Sequence, residues 1–164
     1  MIIPIYLFLF IELIVVTIGD IKFRKIRNLW VIFNLIIAVS LFISFPSMYV
    51  LSIESFQFSI AFFVVGFLLF LLKIMGGGDS KFLASFFLLV PLKKQEMFFY
   101  YILMFTIIIG VFFLLKNIVQ NWKRIISALK NSDLQEVKNC FGTKFAYAPV
   151  ILLAWVYLGV DTFL

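Results

Sequence analysis

The chain has 164 residues, 65% of them hydrophobic, 20% aromatic and only 13% charged, with a formal net charge of +6. A water-soluble domain of this size cannot hide so much apolar surface, so the expected solvent is the bilayer, and too little polar sequence remains for a second, soluble domain. The absence of histidine excludes imidazole bases, Ser-His or Cys-His pairs and histidine metal sites, and the lone Cys140 excludes an internal disulfide or a Cys-x-x-Cys zinc site.

Chemistry therefore falls to carboxylates, lysines, hydroxyls or that one thiol, and neither a cofactor nor a metal is expected. The basic residues sit in short gaps between apolar runs, which is the pattern of loops facing anionic lipid and not of a nucleic-acid surface. The first apolar run lacks the basic n-region and small-residue cleavage site of a signal peptide and is expected to stay as a helix.

In chain order, residues 2–19 form a first span whose only charge is Glu12. A polar segment from Asp20 to Asn28 follows with four basic residues, Lys22, Arg24, Lys25 and Arg27, of which the first three read as topology determinants. Residues 29–45 make a second span, stopped at Pro46, and 55–75 a third, which ends at Gly76-Gly77-Gly78. Residues 82–92 are apolar but about half the usual spanning length of roughly 20 residues, so they read as a short or tilted fourth helix packed inside the bundle. Residues 97–115 and 145–160 give a fifth and a sixth span.

Between these last two lies the longest polar segment, 116–144. Ile118, Trp122, Ile125 and Leu129 recur there at helical spacing, so residues 118–129 read as an amphipathic helix on the membrane surface. Ser132 and Gln135 resemble a capping box opening another short helix. Cys140 reads as a loop thiol, and the many phenylalanines as packing and lipid-facing bulk. The expected architecture is an all-α, polytopic membrane bundle of about six transmembrane helices, one domain over residues 1–164. With both termini outside, every basic residue except Lys93 and Lys94 falls on the inner side.

That topology brings Asp20 and Asp79 to the same depth at the inner face, where the two carboxylates can meet if the first and fourth helices pack together. Two carboxylates in a low-dielectric site cannot both ionise easily, so the pair shares a proton. One member can then deprotonate a water while the other polarises a peptide carbonyl. This is aspartic-protease chemistry, and it needs no histidine or metal. Each residue alone has a plainer reading: Asp79 or Ser80 as a helix cap after a flexible glycine turn, Asp20 as a solvated helix end.

These residues resemble a known family. Gly76-x-Gly78-Asp79 is similar to the Gly-x-Gly-Asp motif of membrane aspartic proteases. Asp20 followed by Ile26-x-Asn28, Asp79-x-Lys81 leading into Phe82-Leu83-Ala84, and Tyr147-Ala148-Pro149 all resemble the type IV prepilin peptidases. The resemblance implies cleavage of a short leader from type IV prepilin-like or pseudopilin precursors at the cytoplasmic face of the prokaryotic inner membrane, with Asp20 and Asp79 as the catalytic pair. Such precursors serve type IV pilus assembly and secretion.

Arg27 departs from the family's usual proline, although Asn28 is kept for local bonds. The chain has no paired Cys-x-x-Cys for a methyltransferase domain and so resembles the short, core-only members. Presenilin-like motifs are missing, since Gly19 precedes Asp20. Gly76, Gly77 and Gly78 are expected to line the cleavage cavity and let Asp79 approach Asp20. Lys81 reads either as a cation tuning the pair or as a lipid-phosphate contact. Glu12 reads as cavity lining or, more simply, as a buried hydrogen bond to a neighbouring helix. The competing readings are a small channel or transporter using the two acids for cations or protons, and a non-enzymatic subunit of an assembly machine. Acids at one face and no repeat symmetry favour the protease.

Overall fold

The computed structural model describes residues 2–71, 75–130 and 146–163, and every regular element among them is an α-helix. The segment 131–145, with the expected capping box at Ser132 and Gln135, the Cys140 thiol and the first residue of the expected sixth span, lies outside the described residues, as does Lys73.

Helix α1 covers Ile3–Phe23, with Pro4 in the first turn, where a missing N–H is tolerated. It runs one turn past the expected end at Gly19. It stops at Arg24, whose left-handed backbone (φ 49°, ψ 38°) lets its N–H close on the Asp20 carbonyl at 2.7 Å. Asp20 is therefore a helical residue and not the start of a loop. Helix α2 (Asn28–Ser44) and helix α3 (Ile53–Leu71) fall close to the expected spans.

Helix α4 departs from expectation. It covers Gly77–Phe87, so the glycines form its first turn instead of a linker ahead of it. Gly76 precedes it in extended conformation (φ −73°, ψ 140°), and its carbonyl accepts the N–H groups of Asp79 and Ser80 at 3.1 and 3.3 Å. An acid in that first turn complements the unpaired N–H groups of the helix start. None of the described glycines has a positive φ. What they supply is room, as the site shows.

Helix α5 spans Leu92–Lys130 and joins the expected fifth span to the expected surface helix, broken only at Asn121 (φ −108°, ψ 15°). The Asn121 amide donates to the Asn117 carbonyl at 3.1 Å, a local bond that competes with regular helix geometry. Helix α6 covers Ala148–Phe163.

Three of these helices are long and apolar enough to cross a membrane: Ile3–Phe23, Ile53–Leu71 and Leu92–Trp122. Helices α2 and α6 are apolar but shorter, with 17 and 16 residues. Helix α4, with 11 residues, rises only about 16 Å, half of a hydrocarbon core of about 30 Å. Large apolar side chains stand exposed along the outer faces, among them Ile11, Ile18, Ile36, Phe67, Ile107 and Phe112. No folded surface in water carries so continuous an apolar coat. The chain is an integral membrane protein.

The short α4 is the core of the bundle. Phe82, Phe86 and Phe87 are fully buried, and Phe86 meets Trp155 edge-on at 5.3 Å. Helix α4 packs chiefly on α3 and α2, while α1 and α5 pack on α6. Polar ties fix α4 in that apolar setting: Asn34 donates to the Ser85 hydroxyl at 3.2 Å and Ser59 to the Ala84 carbonyl at 2.7 Å. Gln95 donates to the carbonyls of Ser55, Phe87 and Val90 at 3.1 to 3.2 Å. Tyr49, between α2 and α3, donates to the Leu89 carbonyl at 3.0 Å, and burial pushes its phenol above the usual range so that it stays a donor. Helix α1 is tied to α6 by a reciprocal pair, Tyr6 hydroxyl to Trp155 carbonyl and Trp155 indole N–H to Tyr6 carbonyl, both at 3.3 Å.

Candidate active site

Asp20 lies in the last turn of α1 and is only 2% exposed. Its Oδ2 accepts the backbone N–H of Ala148 at 3.0 Å. Ala148 opens α6 and Pro149 follows it. The first N–H groups of a helix have no partner within it, and Asp20 satisfies one of them from another helix. That bond orients the Asp20 carboxyl group from the backbone of another helix.

Asp79 occupies the first turn of α4, half-buried. Its placement depends on two close approaches. A Cβ on Gly78 would stand 2.6 Å from the carbonyl oxygen of Ile26, the buried residue of the link between α1 and α2. A Cβ on Gly66 would collide with the Ser80 Cβ, so α3 and α4 touch through the missing side chain. Glycine at these two positions lets the α4 start settle between α3 and the end of α1. Direct packing of the first helix on the fourth was the expected route to the pair. The helices instead meet at their ends, with α6 packed along α1 and α3 along α4.

Asp20 and Asp79 line one cavity of about 280 Å³. Helix α3 supplies its apolar wall through Phe62, Val65 and Leu69, at helical spacing, and Met75 and Gly76 close one edge. Arg24 is the one basic residue among the described lining residues. Tyr147 and Thr106 complete the polar part. Their hydroxyls lie 2.9 Å apart, and the Thr106 hydroxyl also bonds the Ile102 carbonyl at 2.7 Å.

The other residues singled out in the sequence lie elsewhere. Gly76 lines the cavity, but Gly78 faces the Ile26 backbone. Lys81 is exposed and borders a second hollow with Ser59 and Ser85, away from the carboxylates. Asn28 is exposed at the start of α2. Glu12 is buried at 5% exposure and is absent from the cavity lining. Neither of its carboxyl oxygens has a hydrogen-bond partner among the described residues, so the bond expected of it is missing there.

Thr106, Gly66 and the Ala148 N–H were not legible as site groups. An isolated hydroxyl in the middle of an apolar span was the only available sign for Thr106. A backbone N–H leaves none. The arrangement offers two carboxyl groups, a basic side chain and hydroxyls around a partly apolar cavity, which suits hydrolysis of a peptide bond next to an apolar segment.

No curated protein and no solved structure matches the chain. A family model does match it, that of the type IV leader peptidase family, over residues 7–115. The match takes in most of α1, all of α2 to α4 and more than half of α5, with both aspartates and the glycines between α3 and α4. With more than half of its length so matched, the chain belongs to the type IV leader peptidase family.

Proposed function

We propose that this peptidase is an aspartic endopeptidase that removes the leader of type IV prepilin-like precursors, with Asp20 and Asp79 as its catalytic pair. The observation that carries this reading is that two acids far apart in sequence line one cavity in an otherwise apolar protein. An acid inside a membrane bundle is costly and calls for a functional reason. In the reaction, one carboxylate takes a proton from water as the water oxygen bonds to the scissile carbonyl carbon. The other carboxyl gives its proton to the carbonyl oxygen. Collapse of that intermediate breaks the C–N bond, and the amine leaves with a proton from the pair.

The α3 wall of Phe62, Val65 and Leu69 gives the apolar part of a precursor a surface to lie on. In the topology that goes with this reading, six segments cross the cytoplasmic membrane, α4 incompletely, within a single domain. Both termini lie outside, and the aspartates face the cytoplasm, where the basic leader of the precursor waits. The distribution of lysine and arginine supports that orientation. No cofactor takes part.

The test is leader removal from a co-expressed prepilin, followed by gel shift, beside Asp20→Asn and Asp79→Asn. Both variants should abolish cleavage while still reaching the membrane. Cleavage that survives either substitution rules out the two-carboxylate mechanism. Ion flux through the protein in liposomes, with no prepilin cleaved, would move the acids to a transport role.

A further inference from the structure

Helices α3 and α5 each carry a stripe of residues along their common seam. On α3, Phe58, Phe62, Val65 and Leu69 follow one another at spacings of four, three and four and so share a face. On α5, Phe99, Thr106 and Gly110 do the same at spacings of seven and four. At one end the stripes meet in a cluster of rings, with Phe99 at 5.3 Å from Phe58 and 5.7 Å from Phe62. Toward the acids both stripes lose bulk, and Val65, Leu69 and Thr106 there border the cavity that holds Asp20 and Asp79. Contact between α3 and α5 is slight beside the packing of α5 on α6.

Two further observations show that the cavity opens sideways. Val65 lines it and is still 50% exposed. A Cβ built on Gly110, one turn beyond Thr106, meets nothing within 4 Å. The seam is thus plugged by three phenylalanine rings at one end and open at the other, on the side where lipid lies. A segment that is already in the bilayer meets the protein from that side. The cavity also changes character along its length. It is apolar along α3 and carries two carboxyl groups and Arg24 where the end of α1 meets the start of α4. A prepilin-like precursor changes in the same order, from apolar segment to polar leader, across the bond that is cut. A lipid tail offers nothing to the polar end.

Resting on the two-aspartate reading above, we propose that the apolar segment of the precursor enters sideways through the seam between α3 and α5, past Val65 and Gly110. Phe58, Phe62 and Phe99 close the rest of the seam, so only the end of the segment next to the scissile bond passes between the helices. Its backbone can leave helical form there, because irregular backbone at membrane depth is tolerated where protein and polar groups surround it. The remainder stays helical in lipid against the outer face of α3.

The experiment gives the full chain in liposomes two substrates: a prepilin-like precursor with its apolar segment, and a short soluble peptide that spans the same bond without it. Gly110→Trp puts an indole into the open part of the seam, where its Cβ displaces no neighbouring atom. It should lower kcat/KM for the precursor about tenfold, chiefly through KM, and leave the peptide within about twofold. Ile36→Trp adds the same bulk to the lipid-facing side of α2 and should match wild type on both substrates. Equal loss on the two substrates, or no loss on the precursor, overturns the proposal. A benzophenone side chain in place of Val65 should link on irradiation to the apolar segment of the precursor, and one in place of Ile36 should not. This measurement needs neither turnover nor a folded Gly110→Trp, and linkage of position 65 to lipid alone also overturns the proposal. Asp20→Asn and Asp79→Asn should keep the link from position 65 while cleaving nothing. If either still cleaves, the catalytic pair itself is wrong. If both are inactive while Gly110→Trp cleaves the precursor at full rate, only the side entrance falls.

Discussion

Gly78→Ala adds one methyl group where the start of α4 presses on the link between α1 and α2. The new Cβ would stand 2.6 Å from the Ile26 carbonyl oxygen, whereas carbon–oxygen contacts ordinarily close to about 3.3–3.6 Å. The obstacle is backbone, so no side chain can swing aside, and the α4 start must retreat from the α1–α2 link by about 0.7 Å or more. Overpacking of this kind costs about 1–3 kcal/mol, but alanine returns about 1 kcal/mol over glycine inside a helix. The net change in stability is therefore small. Catalysis should suffer more, because Asp79 is the next residue and moves with the helix. A displacement near 1 Å costs up to about 100-fold in a reaction that depends on alignment.

We expect Gly78→Ala to lower kcat/KM for leader removal by about 10- to 100-fold while the protein keeps its elution profile and nearly its melting temperature. Gly19→Ala is the control. It is as close in sequence to Asp20 as Gly78 is to Asp79, yet a Cβ there meets nothing within 4 Å. It should cleave at the wild-type rate and gain about 0.5–1 kcal/mol from helix propensity. Gly78→Ala at the wild-type rate, or Gly19→Ala equally impaired, would refute the argument from close approach.

The buried acid of α1 gives a contrasting expectation. Glu12→Leu removes two buried oxygens that have no partner among the described residues, so thermal unfolding should show a gain of about 1–3 kcal/mol with cleavage retained. Loss of cleavage would bring Glu12 into the mechanism. Gln95→Leu strips the donor from the carbonyls of Ser55, Phe87 and Val90. It should destabilise the protein by about 1–3 kcal/mol, read as a lower melting temperature. An unchanged value would mean that the aromatic packing and the remaining polar ties hold α4 without Gln95.

Much of the architecture was legible because the physics behind it is local. A run of apolar residues sets a helix in lipid, and Pro46 marks where the second one stops, so α2 and α3 came out close to expectation. Errors arose where chain direction changes. Glycine weakens a helix on average, so Gly76-Gly77-Gly78 read as a turn. Gly77 and Gly78 are nevertheless the first turn of α4, because the Gly76 carbonyl accepts two N–H groups and the Ile26 backbone leaves no room for a side chain. That second fact is a tertiary one and has no trace in a single sequence. The end of α1 failed for a similar reason: Arg24 in left-handed geometry is uncommon for a residue with a side chain, and polar character alone suggested an earlier stop.

The site residues divide along the same line. Asp20 and Asp79 stood out because an acid is rare in so apolar a chain, and their motif neighbours gave them a common chemistry. Lys81 stood out by its place in a motif, but the helix turns it to the opposite side from Asp79, toward Ser59 and Ser85. Two residues on, about 200° around the helix, is enough to take a side chain out of a site. Thr106 could not be found, since its meaning rests on Tyr147, far along the chain.

The absence of histidine explains why the site lies where helices end. An apolar chain with few polar side chains still has one abundant source of directed polar groups: the N–H groups that every helix leaves unpaired in its first turn. Those groups are found only at helix ends, and α4 and α6 both begin at the end of the bundle where α1 finishes. Asp20 draws on the α6 start and Asp79 sits within the α4 start. A carboxyl placed at mid-helix, like Glu12, has no such donors to draw on, because the backbone around it is already paired. The same bundle thus holds acids of two kinds: Asp20 and Asp79 at helix ends, the first oriented by a backbone N–H, and Glu12 at mid-helix without a partner among the described residues.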